Sequence, residues 1–393
     1  MELTNKQQEG LNLAVGRYRL GEPYTCISGY AGSGKTTLVR FIIEALDVDI
    51  DEVAYVAYTG KAANVLKQKG CPNATTAHKL LYEARPKSDG TFIFIKRTEF
   101  ENDYKVIVVD EVSMLPKDMW ELLLSHKVYV LACGDPEQLP PIDKDTDNHV
   151  LDHPHIFLDE IMRQAKESEI IRLSMHIREG NPLANFVANG EQVQVVDKSK
   201  VVTGMYTWAD QILCATNPHR QTINTLVRQL KGFGEEPQEE DKIICARNNW
   251  DLFSDCGSPL TNGAIGRCEN FVRTSMWVPR YISTEEIPIA LVNMVTDEGE
   301  VFEGLKIDYT ALTTGRKFLT PKQEYQTNKC KTCGDAPIEF AYGYAITTHR
   351  AQGSEWPKVL VFEENFPRES TEHRRWLYTA CTRASEKLVV VKK

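Results

Sequence analysis

The stretch that most constrains this chain is residues 29–36, which read GYAGSGKT and fit the pattern G-x-x-x-x-G-K-[ST] at every fixed position. Residues 24–28, YTCIS, have the composition of a short β-strand, and residues 37–46, TLVRFIIEAL, have the apolar spacing of a helix. A glycine-rich turn between a strand and a helix lets successive backbone N–H groups face one anion. The pattern therefore predicts a site for the phosphates of a nucleoside triphosphate. The alternative is a glycine-rich turn that binds nothing.

The side chains in and after this turn predict how a triphosphate is held. Lys35 is expected to reach the β- and γ-phosphates as a catalytic residue, and the Thr36 hydroxyl is expected to bind Mg²⁺. The residues that we expect to surround the nucleotide are Gly29, Tyr30, Ala31, Gly32, Ser33, Gly34, Lys35, Thr36 and Thr37. ATP and Mg²⁺ are therefore the predicted ligands of this segment.

Composition restricts the class of protein. At 393 residues, with 42% hydrophobic and 26% charged residues, the chain has room for two or three globular domains. Its first twenty residues lack the apolar core of a signal peptide, and no apolar run approaches the length of a membrane span. The net charge of −9 argues against a protein that coats nucleic acid non-specifically, although it permits a basic channel on an acidic body.

The cysteines give two further expectations. Those inside apolar segments are predicted to be buried free thiols, which indicates a reducing, cytoplasmic location: Cys26, Cys133, Cys214, Cys245 and Cys381. Cys330 and Cys333 form a C-x-x-C pair, and a structural zinc ion would need two more ligands. Since Cys256 and Cys268 are the only nearby thiols, we favour an unliganded loop over a zinc site.

The chain pattern indicates two insertions in an α/β framework. From residue 24 onward, strand-like and helix-like segments alternate, as in a parallel sheet, and a short helix is expected over residues 75–83. Residues 84–103 interrupt this rhythm with turn residues and the segment TFIFIK, which predicts a small inserted β-hairpin. Residues 251–335 change to short β-like segments with turns, which predicts a barrel-like β insertion.

Two carboxylates follow a predicted buried strand, residues 105–109. In an open parallel sheet, ligands bind beyond the carboxyl ends of the strands, so Asp110 and Glu111 should both face the phosphate loop. Asp110 is expected to hold Mg²⁺, and Glu111 is expected to polarise the attacking water as a catalytic residue. The alternative is an acidic turn that caps the next helix.

Two glutamines stand near the same predicted edge. Gln138 lies in a proline-stiffened loop, residues 134–141, which can hold its side chain toward the γ-phosphate as a catalytic residue; a plain tight turn is the alternative. Gln7 stands three residues after Thr4, and this spacing predicts a capping box at the start of a helix.

These segments, in this order, resemble the motifs of superfamily 1 helicases, specifically those of the RecD-like and phage Dda-like 5′–3′ branch. The resemblance covers residues 3–384, with Tyr58 where proline is usual and Arg350 where lysine is commoner. The matching segments, from the Q motif through motifs I, Ia, Ib, II, III, IV and V to motif VI, are residues 3–7, 29–36, 57–63, 76–78, 110–114, 134–141, 163–164, 344–356 and 378–384.

The resemblance implies an α/β fold with two RecA-like P-loop NTPase domains and ATP in the cleft between them. The first domain would cover residues 1–155, and the second would cover residues 156–250 and 336–393. The hairpin of residues 84–103 would be the pin that separates DNA strands, and residues 251–335 would form an SH3-like β-barrel insertion.

The resemblance also implies residue roles. Gln7 would read adenine, Glu355 would contact the nucleotide, and Arg163 and Arg383 would be catalytic arginine fingers that reach the γ-phosphate from the second domain. Because those arginines belong to the other domain, catalysis would require closure of the cleft, a motion that can move DNA. The residues implied to contact DNA are Thr59, Lys61, His78, Asn217, Thr347, His349, Phe92 and Phe94. The two phenylalanines fit the core of the hairpin equally well.

The function implied is that of an ATP- and Mg²⁺-dependent DNA helicase that moves 5′ to 3′. It would be a monomer that acts on single-stranded DNA and on junctions of single and double strands, in the cytoplasm, or in the host cytoplasm if phage-encoded. Replication or recombination proteins would be its partners, and no membrane would be. One alternative is a translocase, stimulated by single-stranded DNA, that displaces bound proteins and unwinds weakly. Another is a P-loop kinase for a small molecule, which would leave Arg163, Arg383 and residues 344–356 without a role.

Overall fold

The computed structural model describes residues 3–71, 73–86, 92–140, 147–162 and 167–393. Within these residues, strands and helices alternate along the chain, as the sequence predicts, and the strands of this alternating pattern form two parallel sheets. Other strands pair with one another in antiparallel sheets.

Several of the described helices begin at residues whose side chains accept hydrogen bonds from the first backbone N–H groups. Thr4, for example, caps the first helix through its side chain, and Thr59 caps the third in the same way. The described helices are α1 (Asn5–Arg19), α2 (Lys35–Leu46), α3 (Gly60–Gln68), α4 (Ala77–Leu81), α5 (Lys117–Ser125), α6 (Glu169–Arg178), α7 (Thr203–Trp208), α8 (Asn217–Leu230), α9 (Tyr309–Thr314), α10 (Pro321–Lys329) and α11 (Ser370–Cys381).

The strands are rich in β-branched residues. The described strands are β1 (Tyr24–Gly29), β2 (Val53–Ala57), β3 (Ala74–Thr76), β4 (Tyr82–Pro86), β5 (Phe92–Lys96), β6 (Val106–Val109), β7 (Tyr129–Gly134), β8 (Ile156–Leu158), β9 (Val193–Asp197), β10 (Gln211–Cys214), β11 (Lys242–Cys245), β12 (Asn249–Phe253), β13 (Pro259–Leu260), β14 (Ile265–Met276), β15 (Ile287–Thr296), β16 (Val301–Asp308), β17 (Phe340–Tyr342), β18 (Ala345–Thr347), β19 (Trp356–Phe362) and β20 (Ala384–Lys392). Three central strands of the two parallel sheets, β6, β7 and β10, are buried along their whole length, as expected for sheets covered on both faces.

The first unit is built on a six-stranded parallel sheet with the order β3-β2-β6-β7-β1-β8. One face packs against α1 and α2 through residues such as Leu38 and Ile42, and the other packs against α4 and α5 through Trp120 and Leu123. Because the strands are parallel, the loops after β1, β2, β6 and β7 all leave from the same edge of the sheet.

The second unit is built on a five-stranded parallel sheet with the order β18-β10-β19-β20-β9. Helices α6 and α11 cover one face, where Trp376 and Leu173 are buried, and α7 and α8 cover the other, where Ile223 and Val227 pack. Together the two units give the two-sheet α/β framework that holds the candidate site.

The antiparallel strands lie where the sequence pattern changes. Strands β4 and β5 pair with each other within the first unit. A separate five-stranded antiparallel sheet has the order β16-β15-β14-β11-β17. It therefore includes β11 and β17, which lie outside the expected insertion of residues 251–335. The expected end of the first domain at residue 155 is also too early, because β8 begins after it and pairs within the first sheet.

The helix expected over residues 75–83 is wrong at both ends, because only Ala77–Leu81 is helical. Thr76 ends strand β3, where β-branched residues are favoured, and its side chain then caps α4 by accepting a hydrogen bond from the Lys79 N–H at 3.2 Å. At the other end, Tyr82 and Glu83 pair with β5 in the antiparallel ladder.

The cysteines inside apolar segments follow the prediction. Cys26, Cys133, Cys214, Cys245 and Cys381 are buried free thiols, as predicted. Cys330 and Cys333 form a disulfide in the structure, a bond that the sequence reasoning did not consider. Among the described residues, no group of three or more His, Cys, Asp and Glu side chains is arranged to hold a metal ion.

Within the described part of the chain, none of the helices combines the length and the apolar character that crossing a bilayer requires.

An ion pair ties α8 of the second unit to the start of the antiparallel sheet. The Arg228 side chain donates to both carboxylate oxygens of Asp241, at 2.9 and 3.1 Å, and Asp241 is fully buried. We expect Arg228→Met to lower the free energy of unfolding by about 3–5 kcal/mol, because it leaves a buried charge without its partner. Chemical denaturation measures this change.

The matched control is Arg273→Met, which breaks a pair with Glu236 at 2.9 Å in which both side chains are more than half exposed. Its expected cost is about 0–1 kcal/mol. Equal losses from the two substitutions would contradict the importance assigned to the buried pair.

Candidate active site

The phosphate loop joins β1 to α2 with two glycines in the left-handed region. Gly32 has φ +76° and Gly34 has φ +82°. A Cβ atom on Gly34 would lie 2.5 Å from Nε2 of Gln7, so the position also lacks room for a side chain. No described side chain caps α2, and the N–H groups of its first turn therefore remain available to an anion.

Gln7 connects the first helix to this loop. Its side chain is 1% exposed, its Oε1 accepts from the Thr4 N–H at 3.0 Å, and its Nε2 donates to the Ser33 carbonyl at 3.4 Å. The capping box predicted from the spacing is therefore confirmed, and the same amide also supports the phosphate loop.

Lys35 and Ser33 supply the polar side chains of the loop. Lys35 Nζ donates to the carbonyl oxygens of Gly29 at 2.6 Å and Tyr30 at 3.0 Å, so the ammonium group lies over the loop. Ser33 Oγ is buried and has no hydrogen-bond partner among the described residues. Thr36, on the first turn of α2, is exposed beside them.

Asp110 and Glu111 follow β6 at the same edge of the sheet. The Glu111 N–H donates to Asp110 Oδ1 at 3.0 Å. Burial, and then the charge of Glu111, raise the pKa of Asp110 above its usual range. Glu111 has φ +48°, which is rare for a residue with a side chain and costs about 1–3 kcal/mol.

Arg383 of the second unit reaches this pair of acids. Its Nη1 donates to Glu111 Oε1 at 3.3 Å, while Glu111 Oε2 is buried without a hydrogen-bond partner among the described residues. Arg383 also donates to the carbonyls of Ser354, at 3.3 Å, and Thr379, at 3.2 Å, which fix its direction. The two units therefore meet at a charged contact beside the phosphate loop.

A cavity of about 120 Å³ brings together residues that are far apart in the sequence. Asp110 and Glu111 line it from the first unit, and Glu355 and Arg383 line it from the second. Glu355 is exposed and pairs with Lys69, the residue that follows α3, at 3.4 Å.

The loop after β7, which carries Gln138, is held mainly by the second unit. Leu139 donates its N–H to Thr379 Oγ1 at 2.9 Å and accepts from Gln352 Nε2 at 2.7 Å. Gln138 itself is half-buried between these contacts. Asp135, at the start of the loop, accepts from the Tyr378 hydroxyl at 2.6 Å.

Tyr378 is a residue that the sequence reasoning did not single out. Its hydroxyl also accepts from the Ala31 N–H of the phosphate loop at 2.9 Å. The available signal was its position in the segment of residues 378–384, where attention went to Arg383. The other expected arginine finger, Arg163, lies outside the described residues.

The residues expected to bind DNA in the first unit lie at the same carboxyl edge. Thr59 caps α3, with its Oγ1 accepting from the Ala62 N–H at 3.2 Å. Lys61 lies 3.7 Å from Asp297 and 3.9 Å from Glu298, which belong to the turn between β15 and β16, and 4.3 Å from the centre of the Trp356 ring. These acidic partners and the indole ring were not predicted.

Burial lowers the pKa of two groups in this region. It lowers the pKa of Lys61, which the two neighbouring carboxylates partly offset. It lowers the pKa of His78 to about 4, so this imidazole is neutral at pH 7 and can contact a phosphate only as a neutral hydrogen-bond donor.

The expected DNA contacts of the second unit also follow parallel strands. Asn217 begins α8 just after β10. Thr347 is the last residue of β18, and His349 follows that strand. Burial lowers the pKa of His349. In the hairpin, the Phe92 side chain lies outside what the structure describes, whereas Phe94 is 41% exposed.

Phe94 lies against a groove of about 480 Å³ between the hairpin and the antiparallel sheet. Arg247 and Lys317 line the groove, and each is paired with Glu324 and Glu339. The groove is therefore mixed in charge.

Two family models match the chain. One is described as an AAA domain and matches residues 3–199, and the other is described as a UvrD-like helicase C-terminal domain and matches residues 342–391. The first match contains the phosphate loop, and the second contains Arg383.

Curated relatives match over much of the chain. The ATP-dependent RecD2 DNA helicase of Deinococcus radiodurans is 26% identical over 391 residues, which is 93% of this chain and 46% of that protein. The ATP-dependent DNA helicase dda of Enterobacteria phage T4 is 23% identical over 251 residues, which is 58% of this chain and 57% of that protein. The chain spans about half the length of these relatives. They confirm the resemblance to the RecD-like and Dda-like branch of superfamily 1.

A solved structure gives the same fold. A Pif1 helicase from Bacteroides, crystallised with ADP-AlF3 and single-stranded DNA, matches 99% of this chain and 92% of its own, with a TM-score of 0.53 at 16% identity. The likeness shows a shared framework of two RecA-like domains.

Substitution of the loop lysine tests the nucleotide site. Lys35→Ala is expected to lower ATP hydrolysis by about 10²-fold or more, because it removes the ammonium group that would stabilise charge on the phosphates. Steady-state phosphate release measures the rate, and circular dichroism checks that the protein remains folded.

Lys105→Ala is the matched control. Lys105 is a half-exposed lysine, paired with Glu52 at the opposite end of the neighbouring strands. Near-normal hydrolysis by the Lys35 variant, or equal loss in the Lys105 variant, would contradict the assignment of the phosphate loop.

Proposed function

The chain belongs to the AAA domain family, and we propose that within this family it is an ATP-dependent DNA helicase of superfamily 1. It moves 5′ to 3′ on single-stranded DNA and unwinds duplex ahead of it, with ATP hydrolysed between the two RecA-like domains. The names of the relatives from Deinococcus radiodurans and phage T4 support this activity, although the chain spans about half their length.

The observation that carries the proposal is the contact between Glu111 and Arg383. Glu111 follows β6 of the first unit, and Arg383 follows α11 of the second, yet their side chains lie 3.3 Å apart. An arginine that reaches the phosphate site from a second domain makes hydrolysis depend on how the two domains are placed. A helicase needs that dependence to turn hydrolysis into movement.

The residues at the loop fit a magnesium–triphosphate complex. The first turn of α2 has N–H groups that no described side chain caps, and Ser33 Oγ is buried and unpaired among the described residues. Thr36 and Asp110 would hold Mg²⁺, an ion whose preferred ligands are oxygens. When bound, Mg²⁺ supplies positive charge that neutralises the phosphates.

Hydrolysis then needs a group that orients water. Glu111 Oε2 is buried beside Arg383 and has no hydrogen-bond partner among the described residues, so it is available to accept a proton from the attacking water. Gln138 supports the same water from the loop after β7, and Lys35 exchanges its loop carbonyls for phosphate oxygens. Gln7 and Glu355 complete the nucleotide contacts.

Arginine fingers supply the remaining charge. Arg383 transfers hydrogen bonds from Glu111 to the γ-phosphate as charge develops there, a contribution worth about 10³–10⁵-fold in related phosphoryl transfers. Arg163 is assigned the same role from its match to motif IV.

The DNA path follows the carboxyl edges of both sheets. Thr59, Lys61 and His78 contact the strand from the first unit, and the residues of the second unit that contact it are Asn217, Thr347 and His349. Such contacts to phosphates hold DNA without reading its sequence. The chain has a net negative charge, which fits a local DNA path of this kind better than a general coating of DNA.

Two added parts act on the duplex. The β4–β5 hairpin, with Phe94 exposed, is the pin that separates the strands, and Phe92 is assigned to the same tip. The antiparallel sheet is the SH3-like insertion, and we place its limits at residues 242–342 because β11 and β17 pair within it. The first domain then ends after β8.

A small-molecule kinase is disfavoured by the second unit. Its five-stranded sheet and the buried Arg383 have no part in a kinase that transfers phosphate within one α/β domain.

Arg383→Ala tests the split site. We expect it to lower hydrolysis stimulated by single-stranded DNA by about 10²-fold or more, because the charge on the γ-phosphate loses its partner from the second unit. ATPase assays with and without oligo-dT measure both rates. Arg368→Ala, which removes an exposed arginine near the start of α11, is the control and should keep the wild-type rates.

Two results would count against the proposed function. One is a wild-type rate that does not respond to single-stranded DNA. The other is an Arg383 variant that keeps the full stimulated rate.

A further inference from the structure

The hydroxyl of Tyr378 joins three segments of the protein. It accepts a hydrogen bond from the Ala31 N–H of the phosphate loop at 2.9 Å and donates one to Asp135 Oδ2 at 2.6 Å. Tyr378 lies on α11 of the second unit and is 1% exposed, so water does not replace these bonds while the units are together.

The Tyr378 hydroxyl stays protonated in this junction. Burial, and then the charge of Asp135, raise the pKa of Tyr378 well above its usual range, so the phenol keeps its proton at neutral pH. That proton is donated to Asp135, and the oxygen lone pairs accept the Ala31 N–H. Asp135 has a second fixed contact, since its Oδ1 accepts from the Glu137 N–H at 3.0 Å.

The neighbouring contacts hold the Gln138 loop to the same helix. Thr379 Oγ1 accepts the Leu139 N–H at 2.9 Å, and Arg374 pairs with Glu137 at 3.3 Å. Helix α11 thus fixes the loop at residues on both sides of Gln138. Tyr378 differs from these contacts because it also reaches the phosphate loop.

We propose that Tyr378 is a positioning residue for hydrolysis, which aligns the Gln138 loop with the phosphate loop when the two units come together. It acts through the backbone of Ala31 and the carboxylate of Asp135. Separation of the units breaks both bonds, leaving the two loops without their common reference point. This inference rests on the proposed function, because it concerns the same split site.

The alignment should affect the hydrolysis step more than nucleotide binding. Lys35 and the first turn of α2 hold the phosphates without Tyr378. Loss of the hydroxyl leaves the Ala31 N–H and a buried carboxylate oxygen unpaired, and the loops then shift relative to each other. Small misplacements of groups that orient a reactant lower the rate strongly.

The test compares Tyr378→Phe with Tyr129→Phe. Tyr129 is also buried, and its hydroxyl also bridges two groups, contacting Thr25 Oγ1 at 2.6 Å and the Ala14 carbonyl at 2.9 Å. Its two partners lie within the first unit, at the end of the sheet away from the phosphate loop. Both variants therefore lose a comparable buried phenol, but only one loses a contact between the units.

We expect Tyr378→Phe to lower kcat for ATP hydrolysis by about tenfold, while the Kd for a fluorescent ADP analogue (mant-ADP) stays within about twofold. Tyr129→Phe should keep kcat within about twofold of the wild-type value, even if its midpoint of thermal unfolding falls as far as that of Tyr378→Phe. Stopped-flow or steady-state ATPase assays, titration with the analogue and thermal unfolding supply these three values.

Three outcomes would overturn the proposal: a Tyr378→Phe kcat within about twofold of wild type, an equal loss of kcat in Tyr129→Phe, or a loss of ADP affinity as large as the loss of kcat. Failure of the proposed function would look different. The wild-type rate would then not respond to single-stranded DNA, whatever the two variants do to basal hydrolysis.

Discussion

The cleft between the two units depends on the negative charge of Glu111 and on where its partner lies. Its carboxylate lies at the phosphate edge of the first unit, and the cation that pairs with it, Arg383, belongs to the second. The Arg383 side chain is 7% exposed and that of Glu111 is 22% exposed, so neither charge is fully screened by water. An incoming phosphate would compete with Glu111 for the same guanidinium, which links nucleotide chemistry to the contact between the units.

The backbone at Glu111 is strained, and this strained conformation directs the side chain of Glu111 in the charge pair. Glu111 has φ +48°, and a single 3-10 turn, Val112–Met114, follows at once. Such strain costs about 1–3 kcal/mol and persists where surrounding structure enforces it, commonly at functional sites. The parallel sheet provides that enforcement, because β6 is paired on both sides by β2 and β7. The same edge carries the phosphate loop and the loop of Gln138.

Local patterns in the sequence were enough to predict the α/β framework, the phosphate loop and the acidic pair after β6. Each depends on neighbouring residues: glycines in a short turn, an apolar strand, and polar groups at its end. Contacts between distant segments were not predictable in this way. Tyr378 lies 347 positions from Ala31, with which its hydroxyl bonds, and Lys61 finds its acidic partners in the turn between β15 and β16. The family resemblance implied roles for residues of the second unit, yet it gave no reason to single out Tyr378 among residues 378–384.

The proposed function couples ATP hydrolysis in this cleft to movement of the chain 5′ to 3′ along one strand. Strand separation should therefore be measured on two duplexes of identical sequence, one with a 5′ single-stranded tail and one with a 3′ tail, with and without ATP and Mg²⁺. The proposed function predicts separation of the 5′-tailed duplex in the presence of ATP and little separation of the 3′-tailed duplex. Separation of the 3′-tailed duplex alone, separation without ATP, or none from either duplex would contradict it.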